Sequence, residues 1–433
     1  MRFGIAALLL FARALEAQSG FACGIRTGEV RSSSAIVWLR TTGGERKADG
    51  SVPGKSALVR LRYAAAGGAA QFTRWKRTSA AADYTARFIL SGLTPDTRYE
   101  ARAETQPASE SPAASFKTAP LANADAGVRF AVLTGLMYQH LDSPQGFHIF
   151  EALRRLKPDF IVLTGDNVYY DNEPPKARTV ELMRYHWQRM YSLPRHVAFF
   201  LETPAYWMKD DHDVLRDDIW PAMSPTGMEP VTYIEGARIF LEQTPAPADP
   251  ARSVRWGKNL QIWLPEGRDF RSPNNTPDGP AKTIWGEKQK RWLFESMEKS
   301  GATWRVLVSP TPIVGPDRGR KADNHANAAF ATEGNEVRRR LAAMARGTLF
   351  VACGDRHWQY HSVHPETGIE EFSCGPASDE HASGSPGEDP VYHRFHRVKG
   401  GFLMVAATRR EIVFRHHDVR GAVVYETRRA APR

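Results

Sequence analysis

Hydrophobic and polar positions change rhythm between residues 120 and 128. Before that point short runs alternate with period two, at 35–39, 57–63 and 84–90, and breaks fall at Gly43-Gly44, Gly50 and Gly67-Gly68. Such alternation predicts half-buried strands joined by turns, and hence an all-β region over residues 18–120. Beyond residue 128 the apolar runs become continuous, at 129–133, 159–163, 304–308 and 349–352. Phe147, Phe150, Leu153 and Leu156 mark one stripe of an amphipathic helix between the first two. Strands alternating with helices predict an α/β domain over 128–433. Residues 120–127 read as a small-residue linker.

Composition adds bounds. A chain of 433 residues with 42% hydrophobic and 10% aromatic positions can build packed cores, which excludes wholesale disorder. Its length predicts two or three domains. Residues 1–17 carry Arg2, an apolar run at 5–12 and Ala17 at a small-residue site, and read as a secretory signal peptide too short to span a bilayer. The expectation is a secreted or periplasmic protein with no transmembrane segment. Three cysteines leave at least one unpaired, and Cys353 and Cys374 lie on strand-like segments that suit buried thiols.

The net charge of +10 invites a polyanion-binding reading, but its distribution weakens that. Residues 18–120 hold 15 Lys/Arg against 8 Asp/Glu, for +7, residues 1–17 hold +1, and the remaining 128–433 region with its linker holds only +2. No aromatic platforms interleave along a basic groove, so no specific nucleic-acid partner is expected. A basic sheet face could instead associate with anionic envelope material.

Candidate chemistry lies at predicted strand ends: Gly165-Asp166, then Asp210-Asp211-His212-Asp213, then Gly354-Asp355-Arg356-His357. In open α/β sheets that edge is where ligands bind. Carboxylates gathered there repel one another unless cations intervene, and carboxylates with imidazoles suit a dinuclear metal site. Such a centre can hold a phosphoryl group and activate water.

These ordered motifs resemble the alkaline phosphatase D (PhoD-like) family of the calcineurin-like metallophosphoesterase superfamily. Residues 266–271, 285–293 and 370–374 extend the resemblance over nearly everything after the signal. It implies a four-layer α/β/β/α metallophosphoesterase sandwich, preceded by an all-β immunoglobulin/fibronectin-III-like sandwich. Residues 93–99 and 116–120 resemble the tyrosine corner and closing strand of fibronectin type III domains. The resemblance further implies hydrolysis of phosphate mono- or diesters by a divalent or mixed iron–calcium centre.

Carried onto this chain, Asp166 matches the aspartate bridging two metals and Tyr169 the tyrosine that ligates iron. Asp211, Asp355 and His357 match further metal ligands. His212 matches the histidine near the leaving group. Arg268 and Arg271 lie in the family's arginine-containing segment, where phosphate contact and an internal salt bridge are both open readings. His325, in a polar loop, is open between substrate contact and loop capping. Asp217 stands where the family has a metal-ligating asparagine.

The family cysteine after the first strand is absent, and Gly135 occupies its stretch. His140 or Asp142 could reach the site from the following loop, or lie solvated. Without a thiolate, a site of oxygen ligands and histidine favours calcium, manganese or zinc over iron. Residues 376–390 read as a mobile surface loop over the cleft. Alternation at 402–405 and 411–414 predicts a terminal antiparallel meander completing the second sheet. Two rival readings follow: a secreted binding protein whose domain has lost catalysis, and hydrolysis of another anionic ester such as a sulfate, although no Cys-x-Pro-x-Arg nucleophile motif is present.

Overall fold

A computed structural model describes residues 20–432, and the predicted signal segment lies outside the described residues. The apolar runs form strands close to their expected limits: Val128–Leu133, Phe160–Leu163, Trp304–Ser309 and Leu349–Cys353. The helix stripe becomes His148–Leu156.

The continuous runs are apolar on both faces because each strand serves two cores. Phe130, Val132, Phe160 and Val162 point into one cluster that also holds Val306, Val308, Phe350 and Ala352. Ala131, Leu133, Ile161 and Leu163 point the other way, against Phe150, Trp187 and Phe199 from helices. Leu307 and Val351 likewise meet Leu293, Phe294 and Val337 on the far side of the second sheet. Three apolar interlayers define four layers, with helices outside and two sheets face to face.

The first sheet has nine strands, with Val128–Leu133, Phe160–Leu163 and Ala205–Trp207 adjacent and parallel. The second has seven, with Leu260–Leu264, Trp304–Ser309, Leu349–Cys353 and Glu370–Cys374 parallel in that order. Their carboxyl ends converge on one edge of the sandwich.

One expectation needs correction. The terminal meander, Phe402–Ala407, Glu411–His417 and Val423–Ala430, extends the first sheet rather than completing the second, because Phe402–Ala407 pairs antiparallel with Val128–Leu133. The expected N-terminal all-β sandwich is present, and one of its two sheets is shared with the catalytic layers. Its strands Ile25–Gly28, Ser34–Arg40 and Thr85–Ser91 continue the nine-stranded sheet through the parallel bridge of Gly28 with Ala205. Its other strands, led by Leu58–Ala65 and Arg98–Gln106, form a separate sheet over them. The corner hydrogen bond is present, with the Thr94 N–H donating to Tyr99 Oη at 2.9 Å.

The linker is held too: Asn259 Nδ2 donates to Asp125 and to the Ala126 carbonyl, both at 2.8 Å. Cys23, Cys353 and Cys374 are buried free thiols. Among the described residues no helix is long and apolar enough to cross a membrane.

Candidate active site

Loops that leave the converging strand ends build the site. After Phe160–Leu163 the chain must turn within van der Waals range of the Asp210 backbone. A Cβ on Gly165 would lie 2.3 Å from Asp210 Cβ, and its φ of +115° is one that glycine tolerates. The next residue, Asp166, takes a φ of +54° and points its carboxylate inward. Asp355 repeats this at the end of Leu349–Cys353, with φ +60°. Backbone in this region is costly for a non-glycine residue, and such positions cluster at functional sites.

Asp166 Oδ2, Tyr169 Oη and His357 Nε2 form a compact triangle. The phenol donates to Asp166 at 2.9 Å and lies 3.3 Å from His357, whose nitrogen is 3.6 Å from Asp166. Metal bonds of about 2.0–2.2 Å at angles of roughly 90–110° span just such donor separations. Asp166 Oδ1 is buried with no hydrogen-bond partner. Burial and the carboxylates of Asp211 and Asp355 push the Asp166 carboxyl well above its usual range, against the pull of His212. Burial and the neighbouring His381 and His212 rings hold His357 well below its usual pKa, so the imidazole is neutral and competent as a ligand. Ligand-capable atoms of Asp166, Asp211 and His212 also lie within 4.8 Å of one another, as do those of Asp211, Asp217 and Asp218. Crowded carboxylates, an orphaned buried oxygen and a neutral imidazole fit divalent cations.

The sequence profile of the PhoD-like phosphatases matches residues 130–432, and that of their N-terminal domain matches residues 8–120. The chain belongs to the PhoD-like phosphatase family. It is a phosphoester hydrolase. Solved structures that share the fold include two phosphatases. The structure of PhoD has a TM-score of 0.78 at 16% identity, covering 95% of this chain and 89% of that one. A purple acid phosphatase from yellow lupin seeds has a TM-score of 0.65 at 12% identity, covering 95% and 74%. No curated protein matches the chain.

In this PhoD-like phosphatase His212 is buried beside the triangle, its ring 4.3 Å from that of Tyr169. Its Nδ1–H donates to Asp171 Oδ1 at 2.7 Å. Burial opposes a charge there, yet the carboxylates of Asp171 and Asp211 prevail and raise its pKa well above the usual value. Asp211 accepts the Asp218 N–H at 2.7 Å and lies 3.7 Å from the Arg268 guanidinium. Asp217 is at the rim, its side chain 56% exposed, with Lys321 Nζ at 3.2 Å. Asp355 is bound by Arg356, which is itself enclosed by Asp317 and Asp323.

Three sequence candidates are enclosed by the surrounding fold. Arg268 is fully enclosed and paired through Nε with Asp210, while its two Nη atoms have no hydrogen-bond partner among the described residues. Arg271 is buried, and donates to the Asp323 carbonyl. His325 is fully buried: Nε2 sits 3.1 Å from Glu333, and the ring packs 4.5 Å from Trp285. Asp142 accepts the His148 N–H at 2.6 Å, and so caps a helix instead of reaching the site.

Sequence reasoning missed Asp171, Asp218, Lys321 and His381. Asp171 lies two residues past Tyr169 and had that proximity as a signal. His381 had none, because it reaches the site from a polar loop 246 residues beyond Gly135. Nor is that loop loose in its first half: Ser383 N–H donates to the His357 carbonyl at 3.1 Å, and Gly400 N–H to Asp379 at 3.0 Å.

Proposed function

We propose that this phosphatase is exported and hydrolyses phosphate mono- or diesters with metal ions held by Asp166, Tyr169, Asp211, Asp217, Asp355 and His357. The observation that carries this reading is the triangle of Asp166, Tyr169 and His357 beside the Asp211 carboxylate. Bound ions would supply Lewis acidity toward phosphoryl oxygens and an activated water near neutral pH. The donor set of carboxylates, phenol and imidazole suits calcium, manganese, zinc or iron.

His212 is the acid of this reading. Asp171 fixes one ring nitrogen, which leaves Nε2–H as the donor toward the cleft. The raised pKa keeps that proton on the ring at neutral pH, ready for transfer to a departing alkoxide. The arginines around the site act from behind it: Arg268 offsets the charge of Asp210 and Asp211, and Arg356 that of Asp355.

Export rests on the signal-like residues 1–17. Association with anionic envelope material rests on the N-terminal charge. Arg60, Arg62 and Arg102 are engaged by Glu104, Glu110 and Glu100, which leaves Arg74 and Arg77 exposed for such contact.

The test strips the full chain with a chelator, restores Zn²⁺, Mn²⁺ or Ca²⁺ singly, and assays p-nitrophenyl phosphate, its bis-ester and the corresponding sulfate. Metal-restored hydrolysis of a phosphate ester is expected. Turnover of the sulfate alone would favour the rival ester, and no turnover with any ion would favour the binding protein.

A further inference from the structure

We propose that a second cavity, lined by Arg338, Arg339, His364, Glu366, Thr367 and Tyr392, binds a tetrahedral phosphate dianion. It shares no residue with the catalytic cleft, so the inference goes beyond the metal-centre reading and does not rest on it.

The cavity measures about 330 Å³, a size that small-molecule sites share. Three elements build it. Helix Ala331–Ala345 presents Asn335, Arg338 and Arg339 on one face, at the three- and four-residue spacing of helical neighbours. The turn between strands Gln359–Val363 and Glu370–Cys374 contributes His364 to Thr367, closed by the Gly368 N–H donating to the His364 carbonyl at 2.9 Å. Tyr392 stands over that turn: its carbonyl accepts the Val363 N–H at 2.9 Å, and its ring meets the His364 ring edge-on.

The cavity holds positive charge that no ion pair among the described residues neutralises. Arg338 is only 7% exposed, yet no carboxylate pairs with it. Arg339 is equally unpaired, whereas the next residue, Arg340, pairs with Glu336 at 3.7 Å. The Arg338 guanidinium donates only to neutral acceptors, the carbonyls of Ile313 and His325 at 2.7 and 2.8 Å and Asn335 Oδ1 at 2.6 Å, and its Nε has no partner. The field of Glu371 reaches Arg338, but that carboxylate is occupied by the backbone N–H groups of Ile313, Val314 and Gly315. A buried cation without a counter-ion is costly, and an anion in the cavity would remove that cost.

Neutral donors complete the lining. The Thr367 N–H donates to His364 Nδ1 at 3.3 Å, which leaves the proton of the neutral ring on Nε2. Burial and the Arg338 charge hold that ring below its usual pKa, so it stays neutral. Its Nε2–H has no acceptor among the described residues and is not sealed in the core. Tyr392 Oη makes no hydrogen bond there either. Asn335, its oxygen taken by Arg338, offers its amide N–H groups. Against these donors stands one carboxylate, Glu366, at the exposed rim. Two guanidinium groups and three neutral donors around one acid fit a dianion with four acceptor oxygens.

The test is calorimetric titration of the full-length protein with inorganic phosphate, after metal is stripped to silence the catalytic centre. Saturable uptake of one equivalent is expected. Arg339→Gln, at an exposed helix position, should weaken it by at least ~10-fold, the size of one charge-assisted hydrogen bond. Glu366→Gln should tighten it by roughly two- to fivefold, because a like charge leaves the rim. Glycerol 2-phosphate, titrated in parallel, separates the two sources of the dianion. Weaker binding than the free ion assigns the site to the reaction's product, and equal or tighter binding assigns it to an intact monoester. No uptake by the wild-type protein, or equal affinity in Arg339→Gln, would overturn the site. So would uptake that Asp166→Asn abolishes, because the ion would then lie in the catalytic cleft.

Discussion

His212 Nδ1 lies 2.7 Å from one oxygen of Asp171, and the other oxygen of that carboxylate accepts the Asp217 N–H at 3.0 Å. One carboxylate therefore orients the candidate acid and ties it to the loop that carries the rim aspartates. Asp171→Asn keeps the shape and removes the charge that sustains the imidazolium. We expect kcat to fall by about 10²-fold with KM little changed, the lower end of what positioned acid–base groups contribute. The loss should be larger for an alkyl phosphate than for p-nitrophenyl phosphate, whose leaving group needs little protonation. Equal losses on both substrates would remove Asp171 from the proton-transfer role.

Lys321 occupies the outer carboxylate group. Its Nζ lies 2.8 Å from Asp218 and 3.2 Å from Asp217, while burial and the neighbouring Asp323 and Asp217 push the Asp218 carboxyl up to about 7. The ammonium thus stands where a divalent ion bound by Asp211, Asp217 and Asp218 would compete with it. Two charges at such range interact by ~4 kcal/mol in a partly buried setting, and solvent around the exposed Asp217 cuts this to ~1 kcal/mol. Lys321→Met should therefore tighten Mn²⁺ binding by roughly five- to tenfold, measured by calorimetric titration of stripped protein. Unchanged affinity would show that the lysine and the ion do not share the cluster.

The strands and their carboxyl-end aspartates were legible in the sequence because both are local. Period-two and continuous apolar runs locate Val128–Leu133 or Leu349–Cys353 without knowledge of their partners. Sheet membership was not legible. The meander beside Val128–Leu133 and the strand Ile25–Gly28 beside Ala205–Trp207 are joined by pairings across hundreds of residues, which periodicity does not encode. Side-chain direction was equally hidden. Arg268 sits in the expected segment, but only the structure pairs it with Asp210 and brings it to 3.7 Å from Asp211. His381 lies in a Gly- and Ser-rich loop whose composition speaks of exposure, while its ring is buried beside that of His357 and held by the Gly135 carbonyl.

The junction between the N-terminal region and the catalytic layers is fixed by a buried ion pair. Arg252 Nε donates to Glu29 Oε2 at 2.9 Å, and its Nη2 reaches the Trp207 carbonyl at 3.0 Å, just before the Asp210–Asp213 loop. Removing one partner of a buried pair leaves the other charge uncompensated, at a cost of about 3–5 kcal/mol. Glu29→Ala is expected to lose that much stability in urea unfolding. Replacing both residues by leucine should recover most of it, because the unpaired charge is then gone. If the single variant were as stable as the parent, the junction would be held by apolar packing alone.

Acid stability offers a test away from the metal site. Burial pushes the His416 imidazole down to about 3, with Nε2 held 2.9 Å from the Ser373 carbonyl and the ring 4.9 Å from Phe395. The folded pKa lies below the unfolded value of about 6.5, so as pH falls the unfolded chain takes up this proton first. The contribution of His416 is therefore complete above about pH 6.5 and is lost progressively as pH falls toward 3, at up to ~1.4 kcal/mol per unit. His416→Gln keeps a donor for Ser373 and cannot titrate. Its stability, followed by urea midpoints between pH 7 and 4, should decline less steeply than that of the parent by the equivalent of about one proton. Identical slopes would mean that the buried ring is already protonated in the folded state, and that the Ser373 carbonyl outweighs the cost of burying its charge.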